Sequence, residues 1–147
     1  MTHAPVIALL GGPTVLGPAV TTDLAFIALV ERGLPGAAFS AFRDQLSDAG
    51  MSSTDAADTL LASVGPLDVA HARGSQLSPA VSDCLARLAR LVIRTAEVLG
   101  SRAGALAWLT TSNRALDGLS PARLVSTDAG VILVEEVLGR VEHGVFS

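Results

Sequence analysis

The chain has 147 residues, enough for one ordinary domain or two small packed halves, and half of it is apolar, so a sizeable core can form. Its single cysteine, Cys84, excludes an intramolecular disulfide and a cysteine-rich zinc site. The formal net charge is −4, and the excess acid lies in residues 1–75, where three Arg face seven acids; residues 76–147 hold seven of each.

With four Phe, one Trp and no Tyr, the core must be filled by Leu, Val, Ile and Ala, whose periodic runs here favour helix over sheet. The opening stretch "HAPVIALLGGPTVLGPAV" is apolar but broken by Gly and Pro. It lacks a basic leader and falls short of the roughly 20 continuous apolar residues of a membrane helix. The expectation is a cytoplasmic protein whose residues 1–20 form an irregular, turn-rich arm. "LLGGPTVLG" has glycines but no following Lys-Ser or Lys-Thr, so it is no phosphate loop.

A first helix is expected after Thr22, in "TDLAFIALVERG", with Asp23 in its first turn and Gly33 as its stop. A second follows, carrying Ala38, Phe39, Phe42 and Leu46 at helical spacing and closed by Gly50. A third is capped by Ser52, Ser53 or Thr54 and ends at Gly65; a short one, "PLDVAHARG", runs from Pro66 to Gly74. Short helices joined by Gly-containing turns match a helix-turn-helix spacing.

"LSPAVSDCLARLARLVIRTAEVLG" predicts the longest helix. Ser78 caps it, Pro79 takes its first position and Gly100 stops it. Leu85, Leu88, Val92, Ala96 and Leu99 form one stripe, nearly opposite Arg87, Arg90 and Arg94. The Arg stripe reads as a solvated face or as a surface for an acidic partner. Ser101 caps a further helix in "SRAGALAWLTTSN"; Asp117-Gly118 turns the chain; Ser120-Pro121 opens a one-turn helix. Thr127 or Asp128 caps the last helix, with Val131, Val134, Leu138 and Val141 inward and Gly144 as its left-handed terminator.

Catalysis finds no support in these residues. His3, His71 and His143 form no metal-binding pattern, no Ser sits in a nucleophile elbow, and Cys84 reads as a small buried hydrophobe. Glu135, Glu136 and Glu142 read as solubilising charge, and no cofactor is called for. DNA contact would have to use His71 and Arg73 of "PLDVAHARG", or Arg87, Arg90 and Arg94 in a dimer. The acidic first half opposes it, because phosphate binding needs cations.

The stretch "AEVLGSRAGALAWLTTSNRALDGLSPARLVSTDAGVILVEEVLGRVEHGV" carries a specific order of residues: Ala105, Trp108, Leu109, Asn113, Leu116, Gly118, Pro121, Thr127, Gly130, Leu138, Arg140, His143 and Gly144. It resembles the toxin-binding domain of the MbcA/ParS/Xre-type antitoxins, tightly from about Ala96 and more loosely before. The resemblance implies an all-α protein. Residues 1–77 would be an Xre-like helix-turn-helix and self-association region, and residues 78–147 a toxin-binding domain. It implies an antitoxin of a type II toxin–antitoxin pair whose partner is a RES-domain toxin, an enzyme that consumes NAD. It further implies dimeric self-association and, in some relatives, binding to operator DNA. "PLDVAHARG" departs from the basic recognition segment of those relatives, so the DNA reading is the weaker one.

The residues expected at the toxin are Trp108, Leu109, Asn113, Arg140, Glu142, His143, Gly144, Val145, Phe146 and Ser147. Trp108 also reads as core, and Asn113 as a turn former. Buried in a partner's cleft, Phe146 would contribute roughly 1.5–3 kcal/mol, less the entropy of ordering the tail. The alternative is a frayed stub.

Overall fold

The computed structural model describes residues 2–64 and 76–144, with the side chains of all of these except 61–64. The described residues form the helices α1 (Ala4–Leu9), α2 (Gly12–Leu16), α3 (Asp23–Arg32), α4 (Ala37–Asp48), α5 (Ser53–Val64), α6 (Pro79–Leu99), α7 (Arg102–Thr110) and α8 (Asp128–Glu142). Two 3₁₀ helices, Arg114–Leu116 and Pro121–Ser126, lie between α7 and α8. Among the described residues there is no strand, only an isolated bridge between Pro35 and Gln76. The fold is all-α, as the sequence led one to expect. Gly65, the short helix expected over residues 66–74, and its His71 and Arg73 lie outside the described residues, as do Val145, Phe146 and Ser147.

Helix α6 is the post on which the others are hung. Ser78 accepts a hydrogen bond from Val81 N, Pro79 sits in the first turn, and Gly100 ends the helix at φ 89°. Its buried residues are Val81, Ser82, Leu85, Leu88, Ala89, Leu91, Val92 and Thr95. They cover about half of the helix circumference at ~100° per residue. That is wider than the single stripe read from the sequence, and Ala96 and Leu99 at its far end are only half-buried. A helix this broadly buried has neighbours on several sides: α1, α3, α5, α7, α8 and the 3₁₀ helix Pro121–Ser126 all pack on it. One buried cluster runs from Val6 through Phe42, Leu60 and Leu88 to Val137.

Residues 1–20 are a correction. They form α1 and α2 rather than an irregular arm. Pro5 and Pro13 stand in the first turn of their helices, where a missing N–H costs nothing. Gly11, at φ 110°, makes the sharp junction between them. Val6, Ile7, Leu9, Leu10 and Leu16 are buried, which is why an apolar stretch too short for a membrane still folds. Asp23 holds the start of this segment. Its carboxylate accepts from Thr2 N at 3.0 Å and His3 N at 2.9 Å, and His3 Nδ1 lies 3.0 Å away. The two backbone donors, followed by the imidazole, hold the Asp23 carboxyl well below the usual carboxylate range.

The junction between α3 and α4 is stapled to the entrance of α6. Leu34 N donates to the buried Ser82 Oγ at 2.7 Å, and Leu77 N donates to Leu34 O at 2.8 Å. Gln76 Nε2 reaches the carbonyls of Arg32 and Gly33. Gly33 has φ 113°, and a Cβ there would stand 2.2 Å from Leu77 O, so this close passage admits only glycine.

Because the folded pKa of Asp23 is depressed, its stabilisation is whole above the ordinary carboxylate range and is lost as pH falls through that range toward the folded value. Asp23→Asn is expected to lower thermal stability at neutral pH. The loss of stability that wild type shows on acidification, over roughly pH 5 to pH 2, will be shallower in the variant. Parallel melting-temperature profiles would show the expectation to be wrong.

Candidate functional site: the outer face of the last helix

Two backbone details seat α8. Thr127 is its N-cap, its Oγ accepting from Gly130 N at 3.0 Å. Gly130 faces the preceding 3₁₀ helix so closely that a Cβ would lie 1.9 Å from Leu124 O. The two residues thus act separately, for one satisfies a free helix N–H and the other lets two backbones touch. Upstream, Asn113 Oδ1 accepts from Ala115 N at 2.9 Å, and its backbone O accepts from Leu116 N and Gly118 N. Asp117 and Gly118 both take positive φ, 55° and 84°. Asn113 is therefore a turn former in this structure, and the turn positions buried Leu116 and leads into Pro121. Leu109 is fully buried, and Trp108 is half-buried and packed against the core.

The inward side of α8 is Val131, Val134, Val137 and Leu138, with Gly130; Val141, expected inward, is half-buried. A different set faces out. Ile132 and Leu133 are 50% and 51% exposed, although both are large aliphatics. Ile132, Leu133, Glu136, Arg140 and His143 fall within an arc of about 100° on the helix. The stripe is apolar in its first half and charged toward its end, where Arg140 is half-buried and His143 is exposed. Ile132 and Leu133 were absent from the residues that the sequence singled out. The available signal was the surplus of apolar residues in "VILVEEVLGRV", more than one buried face can accept.

Glu142 belongs to another flank. It makes a bidentate ion pair with Arg94 of α6, Nη1 to Oε2 at 3.0 Å and Nη2 to Oε1 at 2.7 Å. This pairing lowers the Glu142 pKa and raises that of Arg94. Arg90 lies 4.0 Å from Glu135. Arg87 pairs with Asp83 and donates to the carbonyls of Val125 at 3.2 Å and Ser126 at 3.3 Å. The Arg stripe of α6 is thus a partly solvated face whose arginines also pair with this chain's own carboxylates and carbonyls. Cys84, beside it, is half-buried; burial pushes its thiol pKa up despite the nearby Arg87. Among the described residues no cluster of His, Cys, Asp and Glu has the makings of a metal site, and no helix is long and apolar enough to cross a membrane.

Residues 94–144, from the last turns of α6 to the end of α8, match the family model described as the antitoxin Xre/MbcA/ParS C-terminal toxin-binding domain. This segment, about a third of the chain, is similar to that toxin-binding domain. The chain is also similar to Antitoxin Xre of Yersinia enterocolitica serotype O:8 / biotype 1B (strain NCTC 13174 / 8081), 34% identical over 73 residues. The match covers 49% of this chain and 49% of that relative, so it spans about half the length of each. The residues peculiar to the antitoxin domain now divide by role. Thr127, Gly130, Asn113 and Gly118 build the backbone, Leu109, Leu116 and Leu138 fill the core, and Arg140 and His143 stand on the outer stripe of α8.

Gly130→Ala is expected to destabilise the protein by roughly 1–3 kcal/mol, the cost of overpacking a tight contact. Gly139, in the same helix, has open space where a Cβ would stand and is the control. Gly139→Ala should be neutral or stabilising by about 0.5–1 kcal/mol. Equilibrium denaturation of both variants checks the pair; equal effects would mean that the approach to Leu124 O is not what selects glycine.

Proposed function

We propose that this chain is an antitoxin that neutralises a RES-domain, NAD-consuming toxin by seating the outer stripe of α8 on it. In this reading the helix end and residues 145–147 cover the enzyme's NAD pocket. The observation that carries it is the half-exposed Ile132–Leu133 pair on the outside of a helix within the matched toxin-binding segment. Large aliphatics left in water at the apolar end of a stripe that turns charged are what a protein interface buries. Arg140 and His143 add hydrogen-bond donors at the charged end of the stripe. Gly144, at φ 72°, turns the chain out of the helix toward Val145, Phe146 and Ser147, the residues assigned to the plug. The chain itself acts by occlusion and contributes no catalytic group. It is read as a cytoplasmic protein of a type II system, with its operon under its own control in the fuller version of this reading.

Residues 1–77 are assigned to self-association. The support is on α3, where Leu24 is 78% and Ile27 41% exposed, beside a hollow of about 220 Å³ that has an apolar wall including Ile27, Val30 and Ala86 and a charged rim including Glu31, Arg87 and Arg90. A knob and a hollow on one face suit a two-fold contact between identical copies. Operator DNA is the second reading, with residues 1–77 as a helix-turn-helix region. Its cations would be His71, Arg73 and the Arg87, Arg90 and Arg94 stripe. That stripe already faces the chain's own acceptors, which leaves less charge for phosphates. Binding to the chain's own promoter, with affinity falling steeply as salt rises, would favour this reading over occlusion if no toxin copurified.

The deciding experiment is co-expression with the neighbouring gene product and an assay of NAD loss. Leu133→Asp should weaken the complex by about 10–100-fold, the range of a central interface anchor. Because the residue is exposed, stability should change by less than about 0.5 kcal/mol. Deleting Val145 to Ser147 should leave a complex that consumes NAD; complete inhibition by the truncated chain would refute the plug.

A further inference from the structure

Glu142 occupies the last position of α8, where the helix dipole presents its negative end. A carboxylate there is unfavourable for the helix on its own. Its position is explained by Arg94, 48 residues earlier, which meets it through two nearly parallel hydrogen bonds of 3.0 and 2.7 Å. Upstream, Arg90 Nη2 approaches Glu135 Oε1 to 4.0 Å, an ion pair without a hydrogen bond. Arg90 and Arg94 are four apart on α6, and Glu135 and Glu142 are seven apart on α8, so each pair lies along one helix edge. On α8 that edge is rotated away from the arc of Ile132, Leu133, Glu136, Arg140 and His143. The flank facing α6 and the stripe facing outward are therefore different surfaces of the same two last turns.

We propose that the Arg94–Glu142 pair, backed by Arg90–Glu135, is a clamp that fixes the end of α8 on α6 and so sets the angle at which Arg140 and His143 are presented to the toxin. This rests on the occlusion reading above. Glu142 is then a positioning residue, which replaces its expected role as a direct toxin contact. A single surface ion pair contributes little to global stability. A bidentate pair at a helix terminus acts where the helix is weakest, because the last carbonyls have no intrahelical partner and the end frays. Its effect is local order at the one turn from which the chain leaves α8.

The test uses the full chain and three proteins: wild type, Arg94→Ala, and the exchanged pair Arg94→Glu with Glu142→Arg. Amide hydrogen exchange reads the clamp without any partner. Arg94→Ala should speed exchange at Glu142 and His143 about two- to fivefold, the range of one exposed pair, and leave Val134 unchanged. The exchanged pair should return both to the wild-type rate. Binding to a purified RES-domain toxin, the partner class proposed above, reads the consequence: a similar fold-loss for Arg94→Ala, and recovery in the exchanged pair. Unaltered exchange in Arg94→Ala would overturn the clamp. Recovery of exchange without recovery of binding would overturn it too, because Glu142 would then touch the toxin itself. A wild-type chain that binds no toxin would sink the occlusion reading, while the exchange rates would still judge the clamp.

Discussion

The burial of half the circumference of α6 is the constraint from which the rest follows. A helix with apolar residues over so wide an arc cannot be satisfied by one partner. Here α1 and α3 cover it from one part of the chain and α7 and α8 from the other. The remaining side is partly in water and carries the arginines. Arg87 reaches the carbonyls that end the 3₁₀ helix Pro121–Ser126, and Arg90 and Arg94 reach carboxylates of α8. Apolar packing fixes which helices meet. The arginines then set how the closing segments lie along α6.

The segment similar to the antitoxin domain, residues 94–144, shows why a pattern of mixed residue types is physically coherent. Thr127 and Gly130 make the start of α8, and Asn113, Asp117 and Gly118 make the turn before it, through caps, positive φ values and a backbone approach that a methyl group would block. Their loss would disturb the backbone that presents the outer stripe of α8. The outer stripe of α8, proposed above as the binding surface, is Ile132, Leu133, Glu136, Arg140 and His143, none of which shapes the backbone. Such a division lets the scaffold stay constant while the outer stripe changes to suit a different partner.

Much of the helical frame was legible in the chain. Ser78, Pro79 and Gly100 bounded α6, Ser101 capped α7, and Thr127 opened α8, because capping is local chemistry between residues three apart. Residues 1–20 were misread for an equally local reason. Their glycines and prolines signal turns, and the two short helices between those turns are held by burial against α4 and α6, which lies beyond any local pattern. The outer stripe of α8 was half legible. Periodicity separated Val131, Val134 and Leu138 from the rest, and Arg140 and His143 came from the resemblance. Ile132 and Leu133 look like any other apolar residues until their exposure is seen.

Composition and periodicity by themselves determined an all-helical protein and the caps and turns of most helices; the antitoxin reading came from the resemblance of residues 96–145 to a known family. Only the tertiary structure decided which charges face which. Arg94 and Glu142 are 48 residues apart, and Arg87 and the carbonyl of Val125 are 38 apart. Nothing in the linear order distinguishes such pairs from solvated charge, because the pairing depends on how two helices cross rather than on either helix alone. For that reason an arginine stripe that reads as an open surface in the chain becomes, in the fold, the seam that holds α8 in place.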